Sequence, residues 1–225
     1  MKHKKLAFFL SLFSGLAGAS QNPFVEQWNA HRFYFGSIVG YGSTDWNMMV
    51  MKCGADHPFC SADTVGLSAP LDADGDSGMV WGATIGYEVK PSWAIETSYM
   101  RFPATSIKLG DTWNFYMEEN HNTTQFSSET WAMFAVAKFM TQIANTGFRG
   151  YANAGIDFTA RNDVLTDTIH VNPTFGLGIN YVFPSNFMLE LGFQYMAGYG
   201  AANEVPADNY IPFLYSIAFK LLYRI

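Results

Sequence analysis

The C-terminal stretch Pro212-Phe-Leu-Tyr-Ser-Ile-Ala-Phe-Lys-Leu-Leu-Tyr-Arg-Ile225 decides the fold. From Phe213 onward every second residue is apolar or aromatic, and small, charged or aliphatic residues lie between them. Because successive side chains of a strand point to opposite faces, the pattern predicts a β-strand with one continuous apolar face. Such a face either covers a soluble core or contacts lipid, and the rest of the chain has to distinguish these two cases.

This closing pattern resembles the C-terminal strand of bacterial outer-membrane β-barrels, in which apolar residues alternate back from a terminal aromatic residue. The resemblance implies that Phe219, Leu221, Tyr223 and Ile225 form an assembly signal for the barrel-assembly machinery. The departure is Ile225, because the family usually ends in Phe.

The composition also favours a membrane barrel. The chain is 49% hydrophobic and 17% aromatic but only 14% charged, and no run of 18 apolar residues follows the N-terminal region. A membrane-spanning helix needs about 20 such residues. A closed β-barrel is the other structure that satisfies all backbone hydrogen bonds in lipid.

The N-terminus predicts export. Three lysines, a short apolar run and Gly18-Ala19-Ser20 are typical of a signal peptide over residues 1–20. A short membrane anchor is the alternative, but the apolar run is too short for a span. We expect residues 21–31 to be a short periplasmic segment and 32–225 the barrel domain. Losing the three lysines takes the formal net charge from −6 to −9, which disfavours nucleic-acid binding.

Two further features lie in the segment 44–78. In an exported chain Cys53 and Cys60 are predicted to form a disulfide, and the alternative is a metal site with His57, although a structural zinc site needs four ligands. Three aspartates, Asp72, Asp74 and Asp76, resemble the start of a calcium loop. An EF-hand would need Gly and Glu where Ser77 and Ala83 stand, so it is excluded. We favour a solvated acidic turn over a looser cation site and predict no cofactor.

Eight strands are predicted along the chain. They span residues 33–43, 79–89, 93–102, 129–139, 148–160, 171–183, 187–196 and 212–225. The connections alternate between long polar segments and short turns, and the long segments are 44–78, 103–127, 161–169 and 197–209. Outer-membrane barrels have short periplasmic turns and longer extracellular loops. The alternation favours an all-β, eight-stranded, antiparallel up-and-down transmembrane β-barrel over a soluble lipocalin-type barrel.

Two strand–turn–strand stretches carry a family resemblance. Ile85-Gly-Tyr-Glu-Val-Lys-Pro-Ser-Trp-Ala-Ile-Glu-Thr-Ser-Tyr99 and the region 173–193 resemble OmpA-like eight-stranded outer-membrane barrels. The resemblance implies the Gram-negative outer membrane, outer-membrane lipid and lipopolysaccharide as surroundings, and a surface antigen, adhesin or membrane-stabilising protein. The chain ends with the predicted barrel, so we expect no cell-wall tether.

The polar faces of the predicted strands bring charges into the barrel. The parity of the fourth strand is ambiguous, and we choose the one that places Lys138 inside. An eight-stranded barrel is just wide enough for side chains to fill it, and unpaired buried charge is costly. The sequence therefore predicts a salt-bridged plug, and a small gated ion path through the same groups is the alternative. The predicted inward charges are Glu88, Glu96, Lys138, Arg149, Asp157, Glu190, Lys220 and Arg224.

No catalytic motif is evident. A triad needs a nucleophile, a base and an orienting acid within hydrogen-bond reach, and the candidate bases are His57, His121 and His170. Neither His-x-Ser nor Gly-x-Ser-x-Gly occurs, so we interpret these histidines as loop residues and predict that the protein is not an enzyme. A lipid-modifying outer-membrane enzyme is the less favoured alternative.

The predicted function is a surface-exposed structural or adhesion protein. Binding residues concentrate on loops held by a rigid scaffold, so segments 44–78 and 103–127 are the predicted binding surface for a host or surface ligand. Their aromatic residues include Trp46, Phe59, Trp113, Phe115 and Tyr116.

Overall fold

The structure is a computed structural model, and it describes residues 32–46, 49–52, 68–70, 72–108, 125–144, 146–183, 186–198, 205–206 and 210–225. The strands are β1 (Phe33–Asp45), β2 (Met49–Lys52), β3 (Ser68–Pro70), β4 (Asp72–Asp74), β5 (Ser77–Lys90), β6 (Trp93–Arg101), β7 (Thr105–Lys108), β8 (Gln125–Gln142), β9 (Phe148–Asn162), β10 (Asp167–Val182), β11 (Phe187–Met196), β12 (Val205–Pro206) and β13 (Phe213–Arg224). The described residues include no helical segment with the length and hydrophobicity of a membrane span.

Eight of the strands close into a barrel. Around the barrel β1, β5, β6, β8, β9, β10, β11 and β13 pair in this order, each antiparallel to the next. The barrel closes where β13 pairs with β1, in a register from Tyr34 opposite Arg224 to Asp45 opposite Phe213. At its end Ile225 N donates to Phe33 O at 2.8 Å. The predicted eight-stranded up-and-down barrel is confirmed.

The two faces of the barrel wall have opposite chemistry. On β13, Phe219 and Leu221 point outward and are 54% and 51% exposed, whereas Lys220 and Arg224 point inward and are buried. Exposed apolar side chains outside and buried charges inside reverse the arrangement of a soluble protein. This wall is suited to lipid on its outer side.

Aromatic residues form two girdles on the outer wall. The periplasmic girdle has ring pairs Phe33–Tyr87, Phe148–Tyr181 and Phe187–Tyr223, with centroids 4.7, 4.7 and 5.3 Å apart. Toward the other end, the outer girdle consists of Trp81, Tyr99 and Trp131 together with Tyr195 and Tyr215. Amphipathic aromatic rings favour the two membrane interfaces, so the girdles mark the edges of the apolar band.

Several predicted boundaries are wrong at the external end. The fourth predicted strand, 129–139, is in fact β8 with Gln125–Gln142, and the sixth begins at Asp167 instead of residue 171. The predicted long loops contain strands as well: β7 pairs with the start of β8, and β4 pairs with β7. Polar side chains in this region resemble a loop in sequence, yet backbone pairing continues wherever a neighbouring strand supplies the hydrogen bonds.

The remaining short strands form a separate sheet. Strand β2 lies between β3, to which it is antiparallel, and β12, to which it is parallel. This sheet joins residues from the first and last of the predicted external segments. The predicted signal peptide (1–20) and periplasmic segment (21–31) lie outside the described residues.

Candidate functional site

Four charged side chains meet inside the barrel between the two girdles. This central cluster consists of Glu96 on β6, Lys138 on β8, Glu190 on β11 and Lys220 on β13. Lys220 Nζ lies 2.5 Å from Glu96 Oε1 and 2.9 Å from Glu190 Oε1. Lys138 Nζ lies 2.8 Å from Glu190 Oε2 and also pairs with Glu96. Each lysine contacts both glutamates, so the cluster is neutral and cross-links four strands through the lumen.

Two tyrosines complete the central cluster. The Tyr34 hydroxyl donates to Glu96 Oε2 at 2.9 Å, and Lys138 Nζ lies 4.6 Å from the centre of the Tyr151 ring. Tyr151 fits because Gly192 stands opposite it: a Cβ at this glycine would lie 2.0 Å from the tyrosine hydroxyl. Cation–π contact and hydrogen bonding add to the ion pairs, and the two rings fill the space beside them.

A second group of charges lies at the level of the periplasmic girdle. In this periplasmic cluster, Glu88 Oε1 is 2.8 Å from Arg149 Nη2 and Glu88 Oε2 is 2.9 Å from Arg224 Nη2. Arg149 Nε also donates to Asn180 Oδ1 at 2.9 Å. One glutamate thus holds two arginines, and β5, β9 and β13 are tied together near the end of the barrel.

Asp157 lies apart from both clusters. Its side chain is fully buried on the inner face of β9 and accepts a hydrogen bond from the Thr159 hydroxyl at 2.6 Å. Among the described residues it forms no ion pair, and its Oδ2 has no hydrogen-bond donor. The eight predicted inward charges are therefore all buried, but they form two clusters and one separate carboxylate.

A third group, which the sequence did not reveal, closes the external end. In this mouth cluster the buried Arg161 donates from Nε to Asp163 Oδ2 at 2.6 Å and from Nη1 to Tyr210 O at 2.8 Å. Its guanidinium carbon lies 5.1 Å from the centre of the Trp46 ring. The sequence did contain one signal for this position. Thr159 was predicted to point inward, and Arg161, two residues later on the same strand, points to the same face.

Trp46 and Tyr210 connect the mouth cluster to the surrounding segments. Trp46 Nε1 donates to Thr44 Oγ1 at 2.8 Å and to Thr105 Oγ1 at 3.2 Å. The Tyr210 hydroxyl donates to Asp45 O at 2.9 Å. The cluster thereby contains residues from the first three predicted external segments and Tyr210, which directly follows the fourth.

Some expectations for individual loop residues are wrong. Trp46 is only 3% exposed, so it belongs to the mouth cluster and not to an exposed aromatic surface. His170 lies within β10, opposite Thr159, and not in a loop. The other predicted loop aromatics and histidines, Phe59, Trp113, Phe115, Tyr116, His57 and His121, lie outside the described residues, as do Cys53 and Cys60.

The solvated acidic turn predicted after residue 71 is in part a strand. Asp72 and Asp74 belong to β4, and Asp74 Oδ2 lies 3.6 Å from Lys108 Nζ. The chain turns at Gly75, whose φ of 74° favours glycine, and Asp76 O accepts from Thr44 N. Within the described ranges, no group of three or more His, Cys, Asp or Glu side chains could hold a metal ion.

Residues 7–211 match the family described as the outer membrane protein beta-barrel domain. The chain belongs to this family. It is an integral protein of the Gram-negative outer membrane, as the paired girdles and the apolar outer wall require. Comparison with curated proteins gives no match.

Solved structures share the fold. The chain is similar to the outer membrane protein OprG from Pseudomonas aeruginosa, with 15% identity, a TM-score of 0.52 and coverage of 87% of this chain and 98% of that chain. It is also similar to Neisserial surface protein A, with 12% identity, a TM-score of 0.50 and coverage of 86% and 97%. A third is the outer membrane protein AlkL, with 11% identity, a TM-score of 0.52 and coverage of 87% and 90%. At these identities the likeness concerns the fold alone.

Proposed function

We propose that the protein is a surface interaction protein, in which the barrel is the anchor and the external end is the binding surface. The observation that carries this proposal is the length of β8, which has 18 residues. A transmembrane strand needs about 9–11 residues, so nearly half of β8 extends beyond the bilayer. Strands β7 and β4 pair onto this extension and enlarge it.

The distribution of charge supports a cationic partner. Segments 44–78, 103–127, 161–169 and 197–209 together hold thirteen acidic residues and three basic residues. The barrel interior is close to balanced, so the external segments account for the acidity of the chain. A surface of one sign steers partners of the opposite sign and repels others. We therefore propose a basic protein or peptide as the class of host or surface ligand.

Membrane partners form a second part of the proposal. Outer-membrane lipid and lipopolysaccharide are proposed to surround the apolar wall, which the outward side chains between the girdles support. We propose that the barrel-assembly machinery reads the end of β13. Support comes from Phe219, Leu221, Tyr223 and Ile225, all of which point outward there.

A small gated ion channel is the second candidate function. It is favoured by charged groups at three levels of the interior and by a cavity of about 10 Å³ beside Lys220 and Tyr151. Such a cavity holds about one water molecule, and the neutral central cluster lies across the lumen. Conduction would therefore require this cluster to rearrange. Planar bilayer recordings should show no current steps if the anchor proposal holds, and reproducible steps would support the channel.

The binding experiment uses the barrel in lipid nanodiscs and two immobilised probes, an oligolysine peptide and an oligoglutamate peptide. We expect binding to the basic probe alone, weakening as salt screens the exposed charges. The D72N/D74N/D76N variant should bind less, and the matched K52Q/K108Q variant, which is more acidic, should bind more. Equal binding of all three proteins would contradict a charge-selective surface. The absence of enzymatic activity stays a prediction.

A further inference from the structure

We infer that Arg161 is a positioning residue that holds the four external segments together as one unit. The inference deepens the proposed function, because a pre-organised surface binds with less ordering cost than four independent loops. Its structural part, the coupling of the segments, can be tested without any ligand.

Three different contacts fix the guanidinium group of Arg161. One edge pairs with Asp163 at 2.6 Å, one amino group donates to Tyr210 O at 2.8 Å, and the plane lies near the Trp46 ring. A planar guanidinium has five donors in a fixed fork, so it can engage groups in several directions at once. A lysine ammonium in its place could keep the charge but not this geometry.

Each contact of Arg161 leads to a different external segment. Asp163 Oδ1 accepts from Leu165 N at 2.9 Å and Thr166 N at 3.2 Å, which holds the turn between β9 and β10. Trp46 belongs to the first segment and, through its indole nitrogen, reaches Thr105 in the second. The backbone carbonyl that accepts from Arg161 belongs to Tyr210, which directly follows the fourth segment.

The burial of Arg161 makes these contacts interdependent. Its side chain is fully buried, and a buried charge persists only when it is paired and hydrogen-bonded. If one segment moves away, the charge loses a partner and the remaining contacts weaken. The alternative is that Arg161 only neutralises the charge of Asp163 and that the other three segments move independently of it.

The test compares R161A and R161K with R101A in nanodiscs. Arg101 is a matched control because it is an arginine near the same end whose ion pair with Glu129, at 2.6 Å, is exposed to solvent. Limited proteolysis followed by mass spectrometry reports cleavage in each segment, and the heat-dependent gel shift reports the closed barrel. Cleavage in the native state tracks the population of locally opened forms.

For R161A we expect cleavage in all four segments to accelerate by about tenfold or more, because truncating a buried, hydrogen-bonded charge strongly favours opening. R161K should be intermediate, and R101A should stay within about twofold of the wild type. An increase confined to residues 161–169, or no increase, overturns the inference.

Two further arms separate the possible failures. If R161A lacks the heat shift, W46L is tested in its place. W46L removes the aromatic ring and the indole donor, whereas Arg161 keeps its ion pair with Asp163. The inference then requires W46L to accelerate cleavage in all four segments. The oligolysine probe is then applied to the wild type and to the folded variant. A wild type that does not bind defeats the proposed function, whereas the cleavage pattern alone decides whether Arg161 couples the segments.

Discussion

We predict that the ion pairs of the central cluster contribute more to barrel stability than any other ion pairs among the described residues. The substitution E96Q tests this prediction. Glu96 is fully buried and contacts both Lys138 and Lys220. The substitution keeps the volume but leaves two ammonium groups with one carboxylate, Glu190. Breaking a buried ion pair by removing one partner costs about 3–5 kcal/mol. We therefore expect the free energy of unfolding to fall by about this amount.

The assay is urea unfolding of the barrel in detergent micelles, followed by tryptophan fluorescence and by the heat-dependent gel shift. Free energies are taken only where folding and unfolding curves coincide. The matched control is E129Q, which breaks an exposed pair with Arg101 and should cost about 0.2–1 kcal/mol. A loss for E96Q as small as that of the control would refute the reasoning.

The double variant E96Q/K220M sharpens the test. It leaves Lys138 and Glu190 as one neutral pair, so the excess positive charge of the single variant disappears. Residues within one ion-pair network couple by about 0.5–3 kcal/mol, and the double variant should lose less than the sum of its single variants by that amount. Strict additivity would mean that the four side chains act independently, contrary to their geometry.

Three further predictions concern other positions. D157N should leave stability unchanged or raise it by about 1 kcal/mol, because burying an unpaired carboxylate is unfavourable; a clear loss in urea unfolding would contradict this. G192A should lower the free energy of unfolding by about 1–3 kcal/mol, because its new methyl group collides with Tyr151. The control is G150A, where the nearest atom to the new methyl group is 4.0 Å away, and it should cost under about 1 kcal/mol in the same assay. I225F should assemble at least as fast as the wild type, because it restores the terminal Phe that is usual in the family. Slower appearance of the heat-shifted band would argue against the predicted assembly signal.

The strand pattern was predictable because the barrel wall has lipid on one side and a polar interior on the other. This contrast repeats at every second residue, so parity follows directly from the sequence. On β8 the alternation is blurred, and the single charge of Lys138 was enough to orient it; the side chain is buried in the structure. The outer end of the same strand was missed because Gln125 and Ser128 resemble loop residues.

The mouth cluster could not be predicted for a different reason. Trp46, Arg161 and Tyr210 are far apart in the chain and follow no motif, and only the register of the closed barrel brings them together. Sequence alternation assigns a residue to a face but does not say which residues share one level of the lumen. The same limit applies to Asp157, whose inward position was predictable but whose separation from the bases was not.

The vertical arrangement of charge explains why the barrel suits an anchor. At the periplasmic girdle, two arginines share Glu88, and near the outer girdle Asp157 lacks an ion pair among the described residues. Between the girdles the central cluster contains two acids and two bases. Water and counter-ions reach the ends of a membrane barrel more easily than its middle, so an unpaired carboxylate such as Asp157 costs less near an end. A middle that is neutral without bound ions supports a closed barrel, which is what the proposed role as an anchor requires.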